Sequence, residues 1–449
     1  MSPLPHSAPA FVVSAIASGQ GKTTATAALA RHFMAAGLRV RLFKVGADFL
    51  DALILERASR HPVHVLDLWM VGESECRRLL DQASQAADVV LIEGAMGLYD
   101  GTPSAADLAR RLDLAVLAVI DVRAMAQTVG AVALGLRDFG GVRLAGVIAN
   151  GIASPGHRAM VRSALREVPL LASLARQESV LAERHLGLRL PAESPDIDAR
   201  LRELGAAIEL DEHVWRAIAA SATPACSGTA PLHGAVGNLA PGAPPADRRL
   251  QGAAVAIARD AAFAFLYPAN IDCLERLGAE IVFFSPLADQ PVPAHARAVF
   301  LPGGYPELHG EPLSRAANFH RSIRAAHAAG VPILAECGGM MALTESVRDV
   351  DGRDWPMAAI IPGGTRMQAR LAGLGLQAWR TAHGELRGHT FHYSTLETPL
   401  AAAAVTTSYP RLTEGERIYR VGSLTASYFH AYFSSCPQAI ASILEGKEP

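Results

Sequence analysis

The 449-residue sequence has little cysteine, a modest share of charged residues and no excess of either sign. Its five cysteines form no CxxC pair, so neither a disulfide framework nor a zinc site is indicated. Lysine and arginine (41) nearly balance aspartate and glutamate (43), and no basic stripe predicts nucleic acid or an anionic membrane as a partner. No apolar run is long enough to span a bilayer, and the start of the chain lacks the positive charge of a signal peptide. We therefore expect a cytoplasmic protein that binds neither nucleic acid nor membranes.

The length and the apolar content predict more than one domain. Hydrophobic residues make up 50% of the chain, enough to fill large cores, and the length is typical of two or three domains. The segment from Ser221 to Arg249 is dense in proline, glycine, alanine and serine and has no apolar periodicity, which indicates a linker. We therefore expect two domains, residues 1–220 and residues 250–449, joined by a linker at residues 221–249.

Both predicted domains alternate short apolar runs with amphipathic stretches. Runs that are apolar throughout predict parallel strands covered by helices on both faces of the sheet. From about Phe391 the pattern is more typical of antiparallel β structure. We therefore predict two α/β domains. The predicted strands are Phe11–Ala17, Val40–Val45, Val89–Ile92, Leu114–Ile120, Leu144–Ala149, Ala253–Ile257, Ile281–Phe284, Ala298–Leu301 and Val331–Leu334.

A glycine-rich loop, Ser18-Gly19-Gln20-Gly21-Lys22-Thr23-Thr24, follows the first predicted strand and opens a helical pattern. Its small residues let backbone N–H groups face an anion, and the helix N-terminus adds partial positive charge. We predict that Lys22 reaches the β- and γ-phosphates of ATP and that the Thr23 hydroxyl holds Mg²⁺. The full phosphate-loop pattern has glycine where this chain has Ile16, so the loop is a variant. The alternative is an ordinary glycine-rich turn.

Carboxylates follow the next strands. Asp48 and Asp51 come after Val40–Val45, and Glu93 comes directly after Val89–Ile92. Ligands of open α/β sheets bind at the carboxyl ends of the strands, and Mg²⁺ prefers one or two carboxylates plus phosphate oxygens. We therefore predict that Asp48 and Glu93 join Thr23 at a magnesium site. Each carboxylate could equally be a turn or helix cap.

Cys337 lies at a sharp turn between the strand Val331–Leu334 and a helical run that begins with two glycines. Such a turn lifts a thiol out of the sheet, and a helix N-terminus can lower the pKa of that thiol. This context favours a nucleophile over the commoner buried structural cysteine. The other four cysteines lack this context and are expected to be inert: Cys76, Cys226, Cys273 and Cys436.

A nucleophilic thiol needs a base and an oxyanion hole. His430, at the end of an apolar strand, can meet Cys337 in space, and His392 is an equal candidate on the residues alone. Gly303 and Gly304 follow the strand Ala298–Leu301 and expose backbone N–H groups suited to an oxyanion hole. The same Pro-Gly-Gly sequence is also a common turn.

Taken together, these motifs resemble those of the cobyrinic acid a,c-diamide synthase family. The first half carries SGQGKTT, KVGADFLD, LDLWM, LIEGAMGLYDG and ERHLGL, which resemble its synthetase domain. The second half carries LPGGYPE, AECGGMM, GHTFHYS and SYFHAYF, which resemble its class I-type glutaminase domain. The resemblance covers nearly the whole chain except the linker.

The resemblance implies a P-loop NTPase-like synthetase domain followed by a class I glutamine amidotransferase-like domain. It implies a ligase that uses ATP with Mg²⁺, takes nitrogen from glutamine, and amidates cobyrinate or hydrogenobyrinate. Cys337 is then the glutaminase nucleophile and His430 its base. A homodimer is possible. The residues expected around the nucleotide are Ser18, Gly19, Gly21, Lys22, Thr23, Thr24, Asp48, Asp51 and, near the base, Asn150.

The chain departs from the family pattern at several positions. Gly46–Ala52 reads GADFLDA where the family has GPDYIDP, and Thr390 replaces a glutamate. Tyr432 stands where many class I glutaminases carry the third member of the catalytic triad.

Two other functions remain open. One is the same chemistry on another tetrapyrrole, such as nickel-sirohydrochlorin. The other is a P-loop regulatory ATPase fused to a degenerate glutaminase-like module, against which the retention of Cys337 and His430 argues.

Overall fold

The computed structural model describes residues 7–176, 183–184, 187–188, 191, 194–222 and 248–449. The chain forms two compact units, Met1–Leu232 and His233–Pro449. Most of the predicted linker at 221–249 lies outside the described residues, as does part of the ERHLGL motif. In the described part of the chain, no helix is both long enough and apolar enough to cross a membrane.

The first unit is built on an eight-stranded sheet with the order β10-β7-β6-β5-β1-β4-β2-β3. All its neighbouring strands are parallel except the short edge strand β10. A separate pair, β8 and β9, is antiparallel. The strands are β1 (Ala10–Ala15), β2 (Val40–Val45), β3 (His64–Leu66), β4 (Val89–Glu93), β5 (Ala115–Asp121), β6 (Leu144–Ile152), β7 (Leu170–Ala175), β8 (Glu183–Arg184), β9 (Gly187–Leu188) and β10 (Glu209–Leu210).

Helices cover both faces of this sheet, as predicted from its apolar strands. Along β1, Val12 packs into one core, whereas Phe11 and Val13 pack into the other. Consecutive side chains of a strand point to opposite faces, so a strand buried on both faces is apolar throughout. The helices are α1 (Lys22–Ala35), α2 (Phe49–Ser59), α3 (Glu73–Ala86), α4 (Ala105–Arg111), α5 (Thr128–Phe139), α6 (Pro155–Leu165), α7 (Ile197–Ala207) and α8 (Glu212–Ser221).

The second unit contains a ten-stranded mixed sheet with the order β12-β11-β13-β14-β23-β22-β21-β18-β19-β24, and a four-stranded sheet with the order β16-β15-β17-β20. The five strands from β12 to β23 are parallel, and the remaining neighbours in the larger sheet are antiparallel. The strands are β11 (Ala254–Ala258), β12 (Glu280–Phe284), β13 (Ala298–Leu301), β14 (Ile333–Glu336), β15 (Thr344–Arg348), β16 (Asp354–Pro356), β17 (Ile361–Met367), β18 (Gly373–Thr381), β19 (Gly384–His392), β20 (Ser394–Glu397), β21 (Ala404–Tyr409), β22 (Glu414–Val421), β23 (Leu424–Ser427) and β24 (His430–Ala431).

The helices of this unit are α9 (Pro268–Arg276), α10 (Gly310–Ser314), α11 (Ala317–Ala328), α12 (Gly338–Met341) and α13 (Pro437–Leu444). Every strand predicted from the sequence is present, with ends displaced by no more than three residues. The predicted start of antiparallel structure near Phe391 is wrong, because β15 already pairs antiparallel with β16. The strands β17 and β18 contain several glycines and partly exposed residues, so they lack the apolar run by which the parallel strands were identified.

The strand order brings the motif-bearing loops together within each unit. In the first unit, β1 lies beside β4, and β4 lies beside β2, so their carboxyl ends share one edge. In the second, β13, β14 and β23 are parallel neighbours. The carboxyl ends of parallel strands form the edge where such sheets bind ligands.

Helix α8 is fixed to the first unit by an aromatic cluster, which gives a test of the core. The ring of Trp215 lies 4.6 Å from that of Phe33 and 5.5 Å from that of Phe11, and Trp215 is buried. Trp215→Ala should lower the free energy of unfolding of this unit by about 3–5 kcal/mol, since it removes a large buried side chain. Urea unfolding followed by circular dichroism measures this. Phe139→Ala, at a side chain 81% exposed, is the control and should change little; equal losses in both variants would contradict the packing.

Candidate functional site

The glycine-rich loop closes tightly between β1 and α1. Gly21 has a φ of +86°, and a methyl group there would lie 2.4 Å from Nδ2 of Asn150. That amide donates a hydrogen bond to the carbonyl oxygen of Gln20 at 3.0 Å. Glycine is therefore required at position 21 both by its conformation and by the space available. Asn150 contacts the loop itself, and its predicted contact with the nucleotide base stays a prediction.

The ammonium of Lys22 is turned toward main-chain carbonyl oxygens in the structure. Its Nζ donates to Ala17 O at 3.1 Å and to Met96 O in the loop after β4. Burial lowers the pKa of Lys22, and the nearby ammonium of Lys44 adds to this effect. Ser18 and Gly19 form the exposed tip of the loop, and Thr24 is half-buried in the first turn of α1.

Thr23 and Glu93 meet directly, as the predicted magnesium site requires. The Thr23 hydroxyl donates to Glu93 Oε1 at 2.9 Å. The other carboxylate oxygen, Oε2, is buried and has no hydrogen-bond partner among the described residues. Burial raises the pKa of Glu93 to about 7, since the charged form loses water. A buried carboxylate oxygen left without a donor is suited to a cation.

Lys44, for which the sequence predicts no role, contacts all the neighbouring acidic groups. Its Nζ lies 2.7 Å from Glu93 Oε1, 2.7 Å from Asp51 Oδ2 and 3.6 Å from Asp48 Oδ2. Burial opposes the charged form of Lys44, but Glu93 and the two aspartates outweigh it and raise the pKa of Lys44. One feature of the sequence could have identified Lys44: it is a lysine within the otherwise largely apolar strand β2, four residues before Asp48.

The two aspartates have different surroundings. Asp48 caps helix α2 by accepting a hydrogen bond from Asp51 N at 3.1 Å, so the capping role considered for it is present. Burial raises the pKa of Asp48 to about 6. For Asp51 burial acts in the same direction, but the charge of Lys44 and the hydrogen bonds with Asp48, Lys44 and Glu93 together outweigh it and lower the pKa. Asp48 contacts Lys44 and Asp51, whereas Glu93 contacts both Thr23 and Lys44.

The donor set fits Mg²⁺ that also takes oxygens from a phosphate. Three carboxylates surround one ammonium in this cluster, which leaves surplus buried negative charge. Among the residues that the structure describes, no three acidic, histidine or cysteine groups converge into a metal cage. Mg²⁺ characteristically binds through one or two carboxylates and keeps water or phosphate oxygens as its other ligands.

In the second unit, Cys337 occupies a strained turn between β14 and α12. Its φ and ψ are +46° and −108°, and its backbone N–H donates to Ser427 O on β23 at 2.7 Å. A positive φ at a residue other than glycine is uncommon and occurs often at functional sites. Burial raises the pKa of the Cys337 thiol, and the carboxylate of Glu307 acts in the same direction. The lowering of the thiol pKa that we expected from the helix N-terminus is therefore outweighed. The thiol needs a base to lose its proton.

Glycines allow the glutaminase groups to approach one another closely. A methyl group on Gly303 would lie 2.3 Å from Cε1 of His430 and 3.4 Å from Cβ of Cys337. One on Gly338 would lie 2.9 Å from the backbone nitrogen of Gly304. The structure therefore brings together the predicted nucleophile, base and glycine pair, with main-chain N–H groups beside the thiol.

His430 is held in a buried, neutral state. Its ring stacks on that of His389 with 4.8 Å between centroids. Burial lowers the pKa of His430 well below its usual value, and His389 and His392 add to this. A neutral imidazole can accept the thiol proton. His389, which also contacts the Tyr267 hydroxyl at 3.0 Å, was not identified from the sequence.

The alternative base, His392, lies in a different set of contacts. Its Nδ1 is 2.7 Å from Ser394 O and its Nε2 is 2.9 Å from Glu416 Oε1, so both nitrogens face acceptors. Its ring stacks on Tyr428 at 3.8 Å. Thr390, which replaces the family's glutamate, also donates to Glu416 Oε1. The geometry therefore favours His430 as the base.

The remaining cysteines fit structural roles where the structure describes them. Cys76, Cys273 and Cys436 are buried and free. Burial raises the pKa of the Cys273 thiol to about 11 and that of Cys76 further. Cys226 lies outside the described residues. A protonated, enclosed thiol is a poor nucleophile.

Comparison with known proteins matches both halves of the chain. Residues 11–188 match a family model described as the CobQ/CobB/MinD/ParA nucleotide binding domain, and residues 254–437 match the CobB/CobQ-like glutamine amidotransferase domain. Cobyrinate a,c-diamide synthase of Herminiimonas arsenicoxydans is 54% identical over 99% of this chain and 98% of its own length. Hydrogenobyrinate a,c-diamide synthases of Stutzerimonas stutzeri and Pseudomonas aeruginosa are 49% and 48% identical over 97% of this chain and 98% and 97% of theirs. Because this identity extends over nearly the whole of each chain, the protein belongs to the family of cobyrinate and hydrogenobyrinate a,c-diamide synthases.

Proposed function

We propose that the protein is a glutamine-dependent, ATP-driven ligase that converts the a and c carboxylates of cobyrinate or hydrogenobyrinate into amides. The observation that carries this proposal is the presence in one chain of two sites. A phosphate loop whose Thr23 contacts Glu93 lies in one unit. In the other, Gly303 lies against both Cys337 and His430. The names of the full-length relatives support the corrinoid substrate.

Activation of the carboxylate is the task of the first unit. A carboxylate is a poor acyl donor, because its leaving group would be oxide. Transfer of the γ-phosphoryl group of ATP to a carboxylate oxygen gives an acyl phosphate and ADP. This transfer depends mainly on positioning and on neutralisation of charge. Ser18 to Thr24 would hold the phosphates of ATP, with Lys22 supplying positive charge to them.

Thr23 and Glu93 would hold Mg²⁺, with Asp48 close to the same charge cluster. A bound Mg²⁺ would supply charge compensation for the phosphoryl group. Lys44 has a separate role, because its ammonium fixes the positions of Glu93 and Asp51 through contacts of 2.7 Å. Removing a buried ammonium would leave neighbouring carboxylates uncompensated, which is strongly unfavourable.

Release of ammonia is the task of the second unit. The thiol of Cys337 attacks the side-chain amide of glutamine while His430 accepts its proton. Backbone N–H groups at Gly303 and Gly304 stabilise the oxyanion, and the proton on His430 passes to the departing ammonia. Water then hydrolyses the thioester to glutamate. Ammonia attacks the acyl phosphate, inorganic phosphate leaves, and a second round completes the diamide.

Product mass spectrometry tests the reaction itself. The purified protein is incubated with ATP, Mg²⁺ and glutamine, and with cobyrinate, hydrogenobyrinate or nickel-sirohydrochlorin. A product carrying two amides is expected from one of the first two. Amidation of only the nickel compound would assign another tetrapyrrole, and ATP hydrolysis without any macrocycle or glutamine turnover would favour a regulatory ATPase.

Replacing Cys337 separates the two half-reactions. Cys337→Ser should abolish synthesis from glutamine and leave synthesis from ammonium salts close to the wild-type rate. Lys22→Ala is the matched counterpart and should lose both, because the acyl phosphate is needed whatever the nitrogen source. Amide formation from each nitrogen source is measured side by side. Loss of both activities in a folded Cys337→Ser protein would contradict the assignment of Cys337 to ammonia supply.

Glu93 and Asp48 can be tested for a metal role against a capping role. Glu93→Gln and Asp48→Asn keep the shape of each side chain but remove negative charge beside the metal site. Both should lower amidation strongly with either nitrogen source, with partial recovery at raised Mg²⁺. Asparagine also caps helices, so Asp48→Asn should cost little stability. Wild-type turnover and Mg²⁺ dependence in both variants would leave only a structural role for these carboxylates.

A further inference from the structure

We propose that Glu336 is a positioning residue for His430 and takes the place of the carboxylate that class I glutaminases carry two residues after the histidine. This inference rests on the proposed glutaminase site. At that usual position the chain has Tyr432, a buried residue whose ring packs against Tyr267. Glu336 directly precedes the predicted nucleophile in the chain, and no sequence motif marks it as a partner of the base.

Backbone pairing places Glu336 beside the segment that carries His430. On the parallel neighbours β14 and β23, Glu336 is in register with Ser427, and the next residue, Cys337, bonds to Ser427 O. Glu336 Oε1 accepts a hydrogen bond from the N–H of Ala431 at 3.0 Å. The carboxylate is thereby fixed to the residue next to His430.

The second carboxylate oxygen faces the imidazole. Glu336 Oε2 lies 3.9 Å from Nδ1 of His430, and both side chains are almost fully buried, at 4% and 1% exposure. This separation exceeds a hydrogen bond, but such contacts in ligand-free enzymes often shorten when substrate binds. A carboxylate beside Nδ1 favours the tautomer protonated there, which leaves Nε2 to accept a proton, and it stabilises the imidazolium that then forms.

Because Glu336 is buried, the ionisation of its carboxyl group depends on the charges around it. Burial raises the pKa of the carboxyl group to about 8, and the N–H of Ala431 only partly opposes this rise. When His430 becomes positively charged, a neighbouring positive charge favours the ionised carboxylate. The other titratable groups facing this pair and the thiol are His389, His392, Glu307 and Glu416.

The direction in which replacing Glu336 changes the reactivity of the Cys337 thiol distinguishes a positioning role from a purely electrostatic one. A negative charge on Glu336 raises the pKa of the thiol. Removing that charge without any other consequence would therefore increase the thiolate fraction and speed alkylation. If Glu336 acts through His430, its replacement slows alkylation instead, because the base is no longer held in the reactive tautomer.

The test is the rate at which iodoacetamide alkylates Cys337 as a function of pH, measured on the full chain. Glu336→Gln keeps an acceptor for the N–H of Ala431 and should slow alkylation and glutamine hydrolysis by about 100-fold above pH 8, where the carboxyl group of Glu336 is mostly ionised. In a His430→Ala background the same replacement should have no further effect, since residues that act through one another are not additive. Glu416→Gln, which removes a half-buried carboxylate that contacts His392, is the control and should not slow alkylation.

Unchanged or faster alkylation in Glu336→Gln, or an equal loss in the His430→Ala background, would overturn the proposal. Alkylation of the wild-type thiol that does not depend on His430 would instead count against the glutaminase site itself. If the Glu336→Gln chain does not fold, ¹⁵N NMR of histidine-labelled wild-type protein decides the question after alkylation of Cys337. A Nδ1 proton of His430 protected by a hydrogen bond is expected, and one that exchanges freely with water would overturn the proposal.

Discussion

Both sites depend on the same constraint, which is how closely main chains can approach at the carboxyl edge of a parallel sheet. Adjacent strands end side by side, so the loops that follow them lie close together. Glycine allows this close approach at Gly21, beside Asn150, and at Gly303, beside Cys337 and His430. The absence of a β-carbon at these positions leaves room for backbone N–H groups near the ligand. A side chain there would separate the reacting groups.

Burial then determines the electrostatics of each site. In the first unit, one ammonium faces three carboxylates, and this surplus of buried negative charge is suited to a cation. In the second unit, burial keeps the resting groups uncharged: it raises the pKa of Cys337 and lowers that of His430. A neutral imidazole beside a neutral thiol can accept the proton that the thiol must lose to become a nucleophile.

The two halves of the chemistry have complementary requirements. Phosphoryl transfer needs strong positive charge around phosphate oxygens, which we propose that Lys22 and a Mg²⁺ held beside Thr23 and Glu93 would supply. Attack on the glutamine amide needs a base and N–H donors in an enclosed site, the roles that we propose for His430 and for the glycines beside Cys337. The two proposed sites lie in separate compact units of the chain.

The sequence alone determined the parts of this protein that local patterns encode. Apolar runs identified the parallel strands, and the residues at their ends, such as Lys22, Glu93 and Cys337, marked both sites because strand ends in a parallel sheet converge. The strands β17 and β18, each with an antiparallel neighbour, were not predicted, since glycines and partly exposed residues give them no apolar run. Only the tertiary structure decided which side chains lie close together: Lys44 with Glu93 and Asp51, Cys337 and His430 beside Gly303, and Glu336 near His430. These contacts depend on burial and on the register between strands that are far apart in sequence. Residue spacing and composition are local properties, so they do not predict which side chains lie within a few ångströms in the folded sheet.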